Sequence, residues 1–356
     1  MYCDFSIAVR RAVPVDEFVA AVGRELDIRQ LAAAPVELET LYLGGGTPSR
    51  LGGDGVARLI ELIESRLALA SDVEVTLEAN PEDVTPAAAS AWRAAGVNRL
   101  SLGAQSFDDS VLAWMHRTHD ASAIRRAVAT ARAAGIDNLS LDLIFALPEQ
   151  LDRSWELDLE RALELSPDHV SLYGLTIEPQ TPLGRAHDRG QIAGAPDERY
   201  EREFIQAHEA LSEAGFSHYE VSNYGLQGRS SRHNSAYWSG AAYVGVGPSA
   251  HGYDGDTRRW NHSAYVDWLA ALAVGTDPVQ GQEELTAENR AAESVYLGLR
   301  TSRGVVLEEA ALAHVTPWIN AGWAVIGPAD RLRLTPDGWL RLDALAADLT
   351  VFRSHY

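Results

Sequence analysis

At 356 residues the chain has room for one large α/β domain and a smaller second domain. Its formal net charge of -20 at pH 7 argues against nucleic acid and anionic membranes as main partners, because both repel an acidic surface. A single cysteine fits a reducing cytosol, and no apolar run reaches the roughly 18 to 20 residues that span a bilayer, so a cytoplasmic protein without a signal peptide is expected.

Short apolar runs alternate with amphipathic helical stretches up to about residue 225, a pattern typical of βα units around a parallel sheet. Strands are predicted, in chain order, in ETLYLGGG, VEVTLEAN, VNRLSLGAQS, DNLSLDLIFALP, HVSLYGLTIEP and SHYEVSNY. Helices are predicted between them at about residues 53–69, 85–96, 121–134, 154–165 and 197–214. This order predicts an open or closed parallel barrel, with a doubly wound sheet as the alternative, and functional residues at the carboxyl ends of the strands.

Composition divides the chain into three predicted domains. Residues 1–225 form the βα partial barrel, and residues 226–284, rich in glycine, serine and aromatic side chains, form an extension that packs on it. Residues 285–356 have the pattern of two helices, a two-stranded ribbon and a last helix, which predicts a small winged-helix-like domain. In so acidic a chain we expect this domain to pack or act as a lid rather than bind DNA.

A run of three glycines, Gly44, Gly45 and Gly46, ends the first predicted strand and leads into Thr47 and Pro48. Without a Cβ these residues let the backbone approach a ligand closely, and their N–H groups can bind a polar group directly. An ordinary tight βα turn is the alternative. The run is not a phosphate-binding P-loop, because no Gly-Lys-Ser/Thr follows it.

Polar residues occupy equivalent places near the ends of three later strands: Glu78 in TLEAN, Gln105 in LGAQSF and Asp142 in SLDLIF. Burying any of them without a partner would be costly, so each has either a structural partner or a ligand. Three such residues in register beside a glycine-rich loop favour a shared polar ligand.

Two further segments carry candidate binding residues. Arg117 lies in WMHRTH, and its planar guanidinium suits a carboxylate; the two neighbouring histidines lack a third ligand for zinc. The segment SRHNSAYW brings together His233, Tyr237 and Trp238. A planar apolar ligand and a buried aromatic cluster are the two interpretations of this segment.

The motifs as an ordered set resemble the radical S-adenosylmethionine proteins of the haem chaperone group. The resemblance runs from residue 2 into the C-terminal segment and rests on YCDF, GGGTPS, EANPEDV, GVNRLSLGAQSF, HRTHD, LDLIFALPEQ, LTIEPQTPL, YEVSNY and HNSAYW. It implies a (βα)6 partial barrel, a [4Fe–4S] cluster, S-adenosylmethionine and haem that is passed to an acceptor protein. It is also compatible with peripheral contact between this protein and membrane-bound acceptors.

The segment YCDF matches only the end of the family's cluster-binding loop. The family uses Cys-x3-Cys-x2-Cys, since thiolates suit iron–sulfur clusters and three ligands leave one iron open. Cys3 matches the third ligand and Tyr2 the aromatic whose backbone meets the adenine, while the first two cysteines and the first barrel strand are missing from the sequence. We therefore expect that Met1 is a mis-called start, which in-frame upstream codons would test; the alternative is a degenerate protein.

The resemblance also implies ligand contacts farther along the chain. The methionine amino end is expected at Gly45, Gly46 and Thr47. A haem contact is the hypothesis for His233. Contacts to the ribose and methionine parts are expected at Glu78, Gln105, Arg117 and Asp142.

Three other functions stay open. Oxygen-independent coproporphyrinogen oxidases resemble this family, but they carry a further cysteine two positions after the third ligand, where this chain has Phe5; this favours the chaperone. If Met1 is the genuine start, the expected function is that of a binding protein without a cluster. A phosphate-binding barrel enzyme outside the family is the third alternative.

Overall fold

The computed structural model describes residues 13–31, 37–179 and 181–354. Its helices are α1 (Val15–Ile28), α2 (Gly52–Glu64), α3 (Pro86–Ala94), α4 (Asp109–Trp114), α5 (Ala121–Ala133), α6 (Trp155–Glu164), α7 (Pro182–Asp188), α8 (Asp197–Glu213), α9 (Arg232–Trp238), α10 (Tyr265–Ala273), α11 (Ala287–Leu299), α12 (Glu309–Asn320), α13 (Pro336–Trp339) and α14 (Leu342–Ser354). Its strands are β1 (Glu37–Leu43), β2 (Ala68–Ala79), β3 (Arg99–Gln105), β4 (Asn138–Phe145), β5 (His169–Gly174), β6 (Ser217–Glu220), β7 (Asn223–Gly225), β8 (His251–Tyr253), β9 (Thr257–Asn261), β10 (Val279–Glu284), β11 (Val305–Val306), β12 (Ala324–Gly327) and β13 (Arg331–Leu334).

Backbone contacts divide the chain into two compact units. Unit 1 takes in the chain up to Tyr200 together with Gly245–His251 and Arg259–Gly281. Unit 2 takes in Glu201–Val244, Gly252–Arg258 and the chain from Gln282 onward. The three-domain organisation drawn from composition stays a prediction.

Unit 1 is built on a parallel sheet in which β1 to β5 pair in chain order. The sheet curls into a half-barrel, so the predicted partial barrel of parallel strands is confirmed. In β3 and β4, Ser101 lies opposite Ser140 and Leu102 lies opposite Leu141. Since successive side chains point to opposite faces of a strand, each serine faces one side of the sheet and each leucine the other.

The helices of unit 1 start and stop largely where their capping residues predict. Thr85 accepts a hydrogen bond from the Ala88 N–H at 3.2 Å at the start of α3, and Pro86 occupies its first turn. Gly96 follows the helix with a φ of +101°, a conformation that glycine adopts without strain.

Helix α2 is shorter than its amphipathic pattern predicts. The predicted helix continues to Leu69, but the observed helix ends at Glu64. Ala68 and Leu69 are extended instead and pair with Glu37 and Leu38 at the beginning of β1. Pairing with a neighbouring strand therefore outweighs helical propensity in this segment.

A buried carboxylate joins α1 to a distant part of unit 1. Glu25 is fully buried and accepts hydrogen bonds from the Gly247 N–H at 2.9 Å, from Asn261 at 2.7 Å and from the Trp268 indole at 2.8 Å. It also pairs with Arg29 at 3.3 Å, and Arg29 donates to the Gly245 carbonyl at 2.7 Å. These bonds fix residues 245–268 against the first helix.

Unit 2 contains a hairpin that the sequence analysis missed. The segment SHYEVSNY, predicted as one strand, forms β6 and β7, which pair antiparallel with Ser217 opposite Gly225. Glu220 ends β6, because its carboxylate accepts a hydrogen bond from the Ser222 N–H at 3.1 Å. The same carboxylate pairs with Arg300 at 2.9 Å. Side-chain bonds to the backbone thus turn the chain where a longer strand was predicted.

The C-terminal part of unit 2 combines helices with a small antiparallel sheet, and its assignment as a winged-helix-like domain stays a prediction. Helices α11 and α12 pack on α14, and the sheet order is β11-β13-β12. The predicted two-stranded ribbon corresponds to β12 and β13, and the short strand β11 adds a third antiparallel strand. Over the described ranges, no helix is both long and apolar enough to cross a bilayer.

Replacing Glu25 by glutamine is expected to lower the free energy of unfolding by about 3 kcal/mol, because it leaves the buried Arg29 guanidinium without its carboxylate. Urea denaturation of both proteins measures the difference. The control is Glu17→Gln, which weakens an exposed hydrogen bond from Tyr265 and should change stability by less than about 0.5 kcal/mol. Equal effects of the two substitutions would contradict the role given to Glu25.

Candidate functional site

The glycine run forms an exposed loop after β1, and the surroundings of its three glycines differ. At Gly44 a Cβ would lie 2.8 Å from Glu78 Oε1 and would collide with the Tyr42 ring. Gly45 has a φ of +94°, which disfavours any other residue. A Cβ at Gly45 or Gly46 would have no atom of the described residues within 4 Å, apart from its chain neighbours. The loop is therefore closed on one side by the sheet and open on the other.

Glu78 links this loop to the barrel. Its Oε1 accepts a hydrogen bond from the Tyr42 hydroxyl at 2.7 Å, and its Oε2 accepts one from the Gly45 N–H at 3.1 Å. Burial raises the pKa of Glu78, the charge of Asp142 raises it further, and the two hydrogen bonds lower it. The carboxyl thus lies in a poorly solvated place where two donors favour its ionised form.

Asp142 on β4 is held by serine hydroxyls from its own strand and from the two neighbouring strands. Ser101 donates to Oδ1 and Oδ2, each at 3.0 Å, and Ser140 donates to Oδ1 at 3.3 Å. A hydrogen bond from Ser171 on β5 also lowers its pKa. Burial nevertheless dominates and raises the pKa of Asp142 above its usual value. Ser101, Ser140 and Ser171 were missed by the sequence analysis.

A signal for these serines is present in the sequence. Three strands carry a Ser-Leu pair, at Ser101, Ser140 and Ser171. In a strand with two buried faces both residues should be apolar, so the repeated hydroxyl marks a polar interior face. Reading the strands side by side, rather than one at a time, would have found it.

Deeper in the half-barrel lies a buried cation. Arg99 is only 1% exposed, and its positive charge lowers the pKa of Asp142. His169 is fully buried with Nδ1 2.8 Å from Ser140 Oγ, and burial holds its pKa well below the usual range, so its ring is neutral at neutral pH. Within the described part of the chain, Arg99 Nε and Thr76 Oγ1 have no hydrogen-bond partner.

Gln105 ends β3 in a strained conformation. Its φ is +69°, and the pairing of β3 with β4 shifts register between Leu102 and Gln105. The side-chain amide lies over Gly103, where a Cβ would be 2.9 Å from Nε2. The conformation is fixed from the following segment by Asp158, which accepts hydrogen bonds from Ser106 at 2.8 Å and from the Phe107 N–H at 2.6 Å.

Arg117 reaches the same end of the sheet from the loop after α4. Its guanidinium donates to Asn80 Oδ1 at 3.3 Å, and Asn80 lies two residues beyond Glu78. Glu82 fixes the loop, because it binds the Thr118 hydroxyl at 2.5 Å and His119 Nδ1 at 3.0 Å. These bonds outweigh the burial of Glu82 and lower its pKa to about 2.

The predicted site residues of unit 1 therefore fall into two adjacent groups. Glu78 binds both the Tyr42 hydroxyl and the Gly45 N–H, and Asp142 acts on both Tyr42 and Glu78 through its charge. Arg117 donates to Asn80, and Asn80 and the Gln105 amide both lie close to Gly103. Thr47 is exposed at the start of the 3-10 helix Pro48–Leu51, where its side chain makes no capping hydrogen bond. The expectations for Tyr2 and Cys3 lie outside the described residues. No group of three or more potential metal ligands occurs in the parts of the chain that were placed.

His233 lies in unit 2, on helix α9. Its Nε2 is 2.9 Å from the Tyr237 hydroxyl, and the Tyr237 ring meets the Tyr243 ring edge-on with centroids 4.5 Å apart. Burial raises the pKa of Tyr237 to about 12. Trp238 lies under the Arg300 guanidinium, 4.2 Å from the ring centre. Every residue of α9 is partly exposed, so the segment is neither a buried aromatic cluster nor a fully solvated loop.

Replacing Gly44 by alanine is expected to lower the free energy of unfolding by about 1–3 kcal/mol, because the new methyl group overlaps the Tyr42 ring and the Glu78 carboxylate. Gly46→Ala is the matched control, since its methyl group meets open space and should change stability by less than about 0.5 kcal/mol. Thermal and urea denaturation of both variants test this. A Gly44→Ala protein as stable as Gly46→Ala would contradict the observed packing.

Replacing Glu82 by glutamine is expected to reduce the acid dependence of stability. A carboxyl with a lowered folded-state pKa stabilises the protein above its unfolded value of 4.5, and this stability is lost as the pH falls toward about 2. Allowing for solvent screening, the loss amounts to about 1–2 kcal/mol. Denaturation measured from pH 6 to pH 2 should show a flatter curve for Glu82→Gln. Glu164→Gln, which removes an exposed ion pair with Arg125, should follow the unchanged protein.

Comparison with known proteins shows the family to which this chain belongs. The model of the Radical SAM superfamily matches residues 1–162. The Mycobacterium tuberculosis protein named "Heme chaperone HemW" is 37% identical over 353 residues, which cover 98% of this chain and 90% of that protein. The Synechocystis protein of the same name is 38% identical over 313 residues, covering 85% of this chain and 75% of that protein.

A solved structure shares the fold. Coproporphyrinogen III oxidase (HemN) from Escherichia coli aligns with a TM-score of 0.83 over 99% of this chain and 87% of that one, at 21% sequence identity. At this identity the likeness concerns the fold alone, whereas the curated relatives above are similar in sequence over most of their length. The chain therefore belongs to the HemW heme chaperone family of the radical SAM superfamily.

Proposed function

We propose that this protein binds haem and passes it to an acceptor protein in the cytoplasm, and that S-adenosylmethionine binds at the mouth of its half-barrel. One observation carries the proposal: Glu78, on which the charge of Asp142 acts, binds the Gly45 N–H of the exposed glycine loop, in a chain whose relatives are named heme chaperones. The identity of the acceptor, and whether it is membrane-bound, lies beyond this proposal.

The residues at the barrel mouth fit S-adenosylmethionine. The loop can admit a ligand against its backbone, because neither Gly45 nor Gly46 has a neighbour where a Cβ would be. Glu78 and Asp142 are acceptors for ribose hydroxyls. Arg117 offers a planar guanidinium to the methionine carboxylate. When bound, S-adenosylmethionine supplies a sulfonium whose reductive cleavage begins radical chemistry.

The glycine loop, Thr47 and Gln105 complete the proposed contacts with this ligand. Gly45, Gly46 and Thr47 bind the methionine amino group through backbone carbonyls or the threonine hydroxyl, and Gln105 contributes its amide. The strained backbone at Gln105 supports this role, since such conformations persist where the surrounding structure fixes them and are frequent at ligand sites. Asp158 and its hydrogen bonds supply that fixation here.

The [4Fe–4S] cluster is a different case. The sequence contains a single cysteine, and this donor set does not match the three thiolates that hold such a cluster in the family. Cys3 remains the proposed ligand of one iron. One cysteine therefore gives no basis for cluster chemistry in this chain.

For haem we propose the partly exposed face of α9. His233 offers an imidazole that meets the Tyr237 ring, and the Tyr237 ring in turn meets that of Tyr243. With Trp238 on the same helix, these rings supply aromatic area suited to a planar apolar ligand. The Tyr237 hydroxyl orients the ring through Nε2, so haem ligation by that nitrogen requires the hydrogen bond to open. An imidazole is a common axial ligand of haem iron.

Radical decarboxylation of coproporphyrinogen III is the second candidate, and the fold shared with the HemN oxidase favours it. The two functions differ in their products. Only the oxidase releases carbon dioxide when reductant, S-adenosylmethionine and coproporphyrinogen III are supplied.

Hemin titrated into the protein is expected to produce a Soret band that shifts on binding, and His233→Ala should weaken this binding about tenfold or more, which is at least 1.4 kcal/mol. His187→Ala is the control, because that histidine is half exposed and lies in unit 1. Binding and coordination are followed by absorption spectroscopy. Absence of binding by the unchanged protein would refute the chaperone function, and equal spectra of the His233 and unchanged proteins would refute the ligand assignment.

A further inference from the structure

We propose that the Tyr42 hydroxyl is a positioning group, which holds Glu78 in the orientation and ionised form that a ribose requires. The inference rests on the proposed function, because Glu78 must be the group that receives the ribose. Tyr42 precedes the glycine run on β1 and is not among the residues for which the family resemblance implies a ligand contact.

The geometry gives Glu78 one orientation. Tyr42 binds Oε1 at 2.7 Å and the Gly45 N–H binds Oε2 at 3.1 Å, so each carboxylate oxygen has its own donor. The Gly44 backbone lies directly against the Tyr42 ring and Glu78 Oε1, with no room for a Cβ between them. Rotation of the carboxylate would break both hydrogen bonds. Each oxygen still has a second lone pair for a ligand hydroxyl.

The charges around Glu78 explain why it needs these donors. Asp142 on β4 is the charged group that acts on Glu78, and like the burial of the site it disfavours the ionised carboxylate. No cation within the described ranges acts on Glu78; the buried Arg99 acts on Asp142 instead. The stabilisation of the ionised form therefore comes from two uncharged donors, Tyr42 on β1 and the Gly45 N–H in the loop.

Tyr42 is suited to remain a donor. Its hydroxyl is surrounded by Glu78, Asp142 and Tyr173 on β5, and burial together with these groups holds the pKa of Tyr42 well above its usual range. The hydroxyl proton is therefore present at neutral pH. A phenylalanine would keep the ring against Gly44 and remove only the donor.

The functional consequence concerns the pH range of ligand binding. An ionised carboxylate accepts two hydrogen bonds from the neighbouring hydroxyls of a ribose, whereas a protonated one loses part of that capacity. Since Tyr42 favours the ionised form, its hydroxyl extends nucleoside binding to lower pH. Without it, binding should be lost at a higher pH as the solution becomes acidic.

The first experiment measures Glu78 directly in the ligand-free protein. Carboxyl ¹³C chemical shifts of glutamate-labelled protein, assigned with Glu78→Gln, are followed between pH 4 and pH 9. Tyr42→Phe should raise the titration midpoint of Glu78 by about one pH unit, the scale of one lost hydrogen bond to a charged group. Tyr265→Phe is the matched control, because it removes an exposed hydrogen bond from tyrosine to Glu17. An unchanged midpoint in Tyr42→Phe would overturn the inference.

The second experiment measures binding of S-adenosylhomocysteine by calorimetry over the same pH range. This probe has the nucleoside and the amino acid of the proposed ligand but no sulfonium to cleave. The unchanged protein and Tyr265→Phe should lose binding at the same pH, and Tyr42→Phe about one unit higher. If no variant binds the probe, the proposed nucleoside site fails, while the ¹³C titration still decides whether Tyr42 controls Glu78. Coincident binding curves for all three proteins would overturn the positioning role.

Discussion

The proximity of two carboxylates, Glu78 and Asp142, in a poorly solvated barrel mouth is the constraint on which the arrangement of this site depends. Two such charges repel each other, and burial penalises both. Hydroxyl groups and a backbone N–H close to the carboxylates offset this penalty, and the charge of the buried Arg99 adds to them at Asp142. Serines from three strands surround Asp142, and Tyr42 with the Gly45 N–H binds Glu78. A surface of acceptors thus remains available beside a loop that admits a ligand.

Three further carboxylates hold the remainder of unit 1 around this surface. Asp158 fixes the strained end of β3, and Glu82 fixes the loop that carries Arg117. Glu25 joins the first helix to Gly247, Asn261 and Trp268. Each of these carboxylates binds groups far from it in the sequence. Loops that connect parallel strands are otherwise free to vary, so anchors of this kind determine where their functional side chains point.

Local patterns were enough to predict a parallel βα barrel and the places of Glu78 and Gln105 at the ends of β2 and β3, whereas Asp142 lies inside β4. Alternation of strands and helices carries that information, because parallel strands bring their carboxyl ends to one edge. The partners of these residues were not predictable in the same way. The hydrogen bond between Tyr42 and Glu78 spans β1 and β2, and its existence depends on a register that no single strand reveals.

Two of the differences between the predicted and the observed elements arise from interactions that lie outside the local sequence pattern. Residues 65–69 have a helical pattern, yet Ala68 and Leu69 pair with β1, and the strand predicted at SHYEVSNY turns at Glu220. In each case a contact with a distant segment or a side-chain bond to the backbone decided the local structure. Patterns in a short window contain neither.

The polar interior of the half-barrel has a consequence for how this domain is stabilised. Arg99, Ser140 and His169 occupy positions that aliphatic side chains fill in a closed βα barrel. Apolar burial must therefore come chiefly from the outer face of the sheet, where leucines such as Leu102 and Leu141 are almost completely buried. The lumen can consequently exchange water for a nucleotide without opening a cavity in the structural core. Substitutions in the lumen can therefore change the affinity for a ligand while the apolar packing on the outer face of the sheet, which stabilises the domain, stays the same.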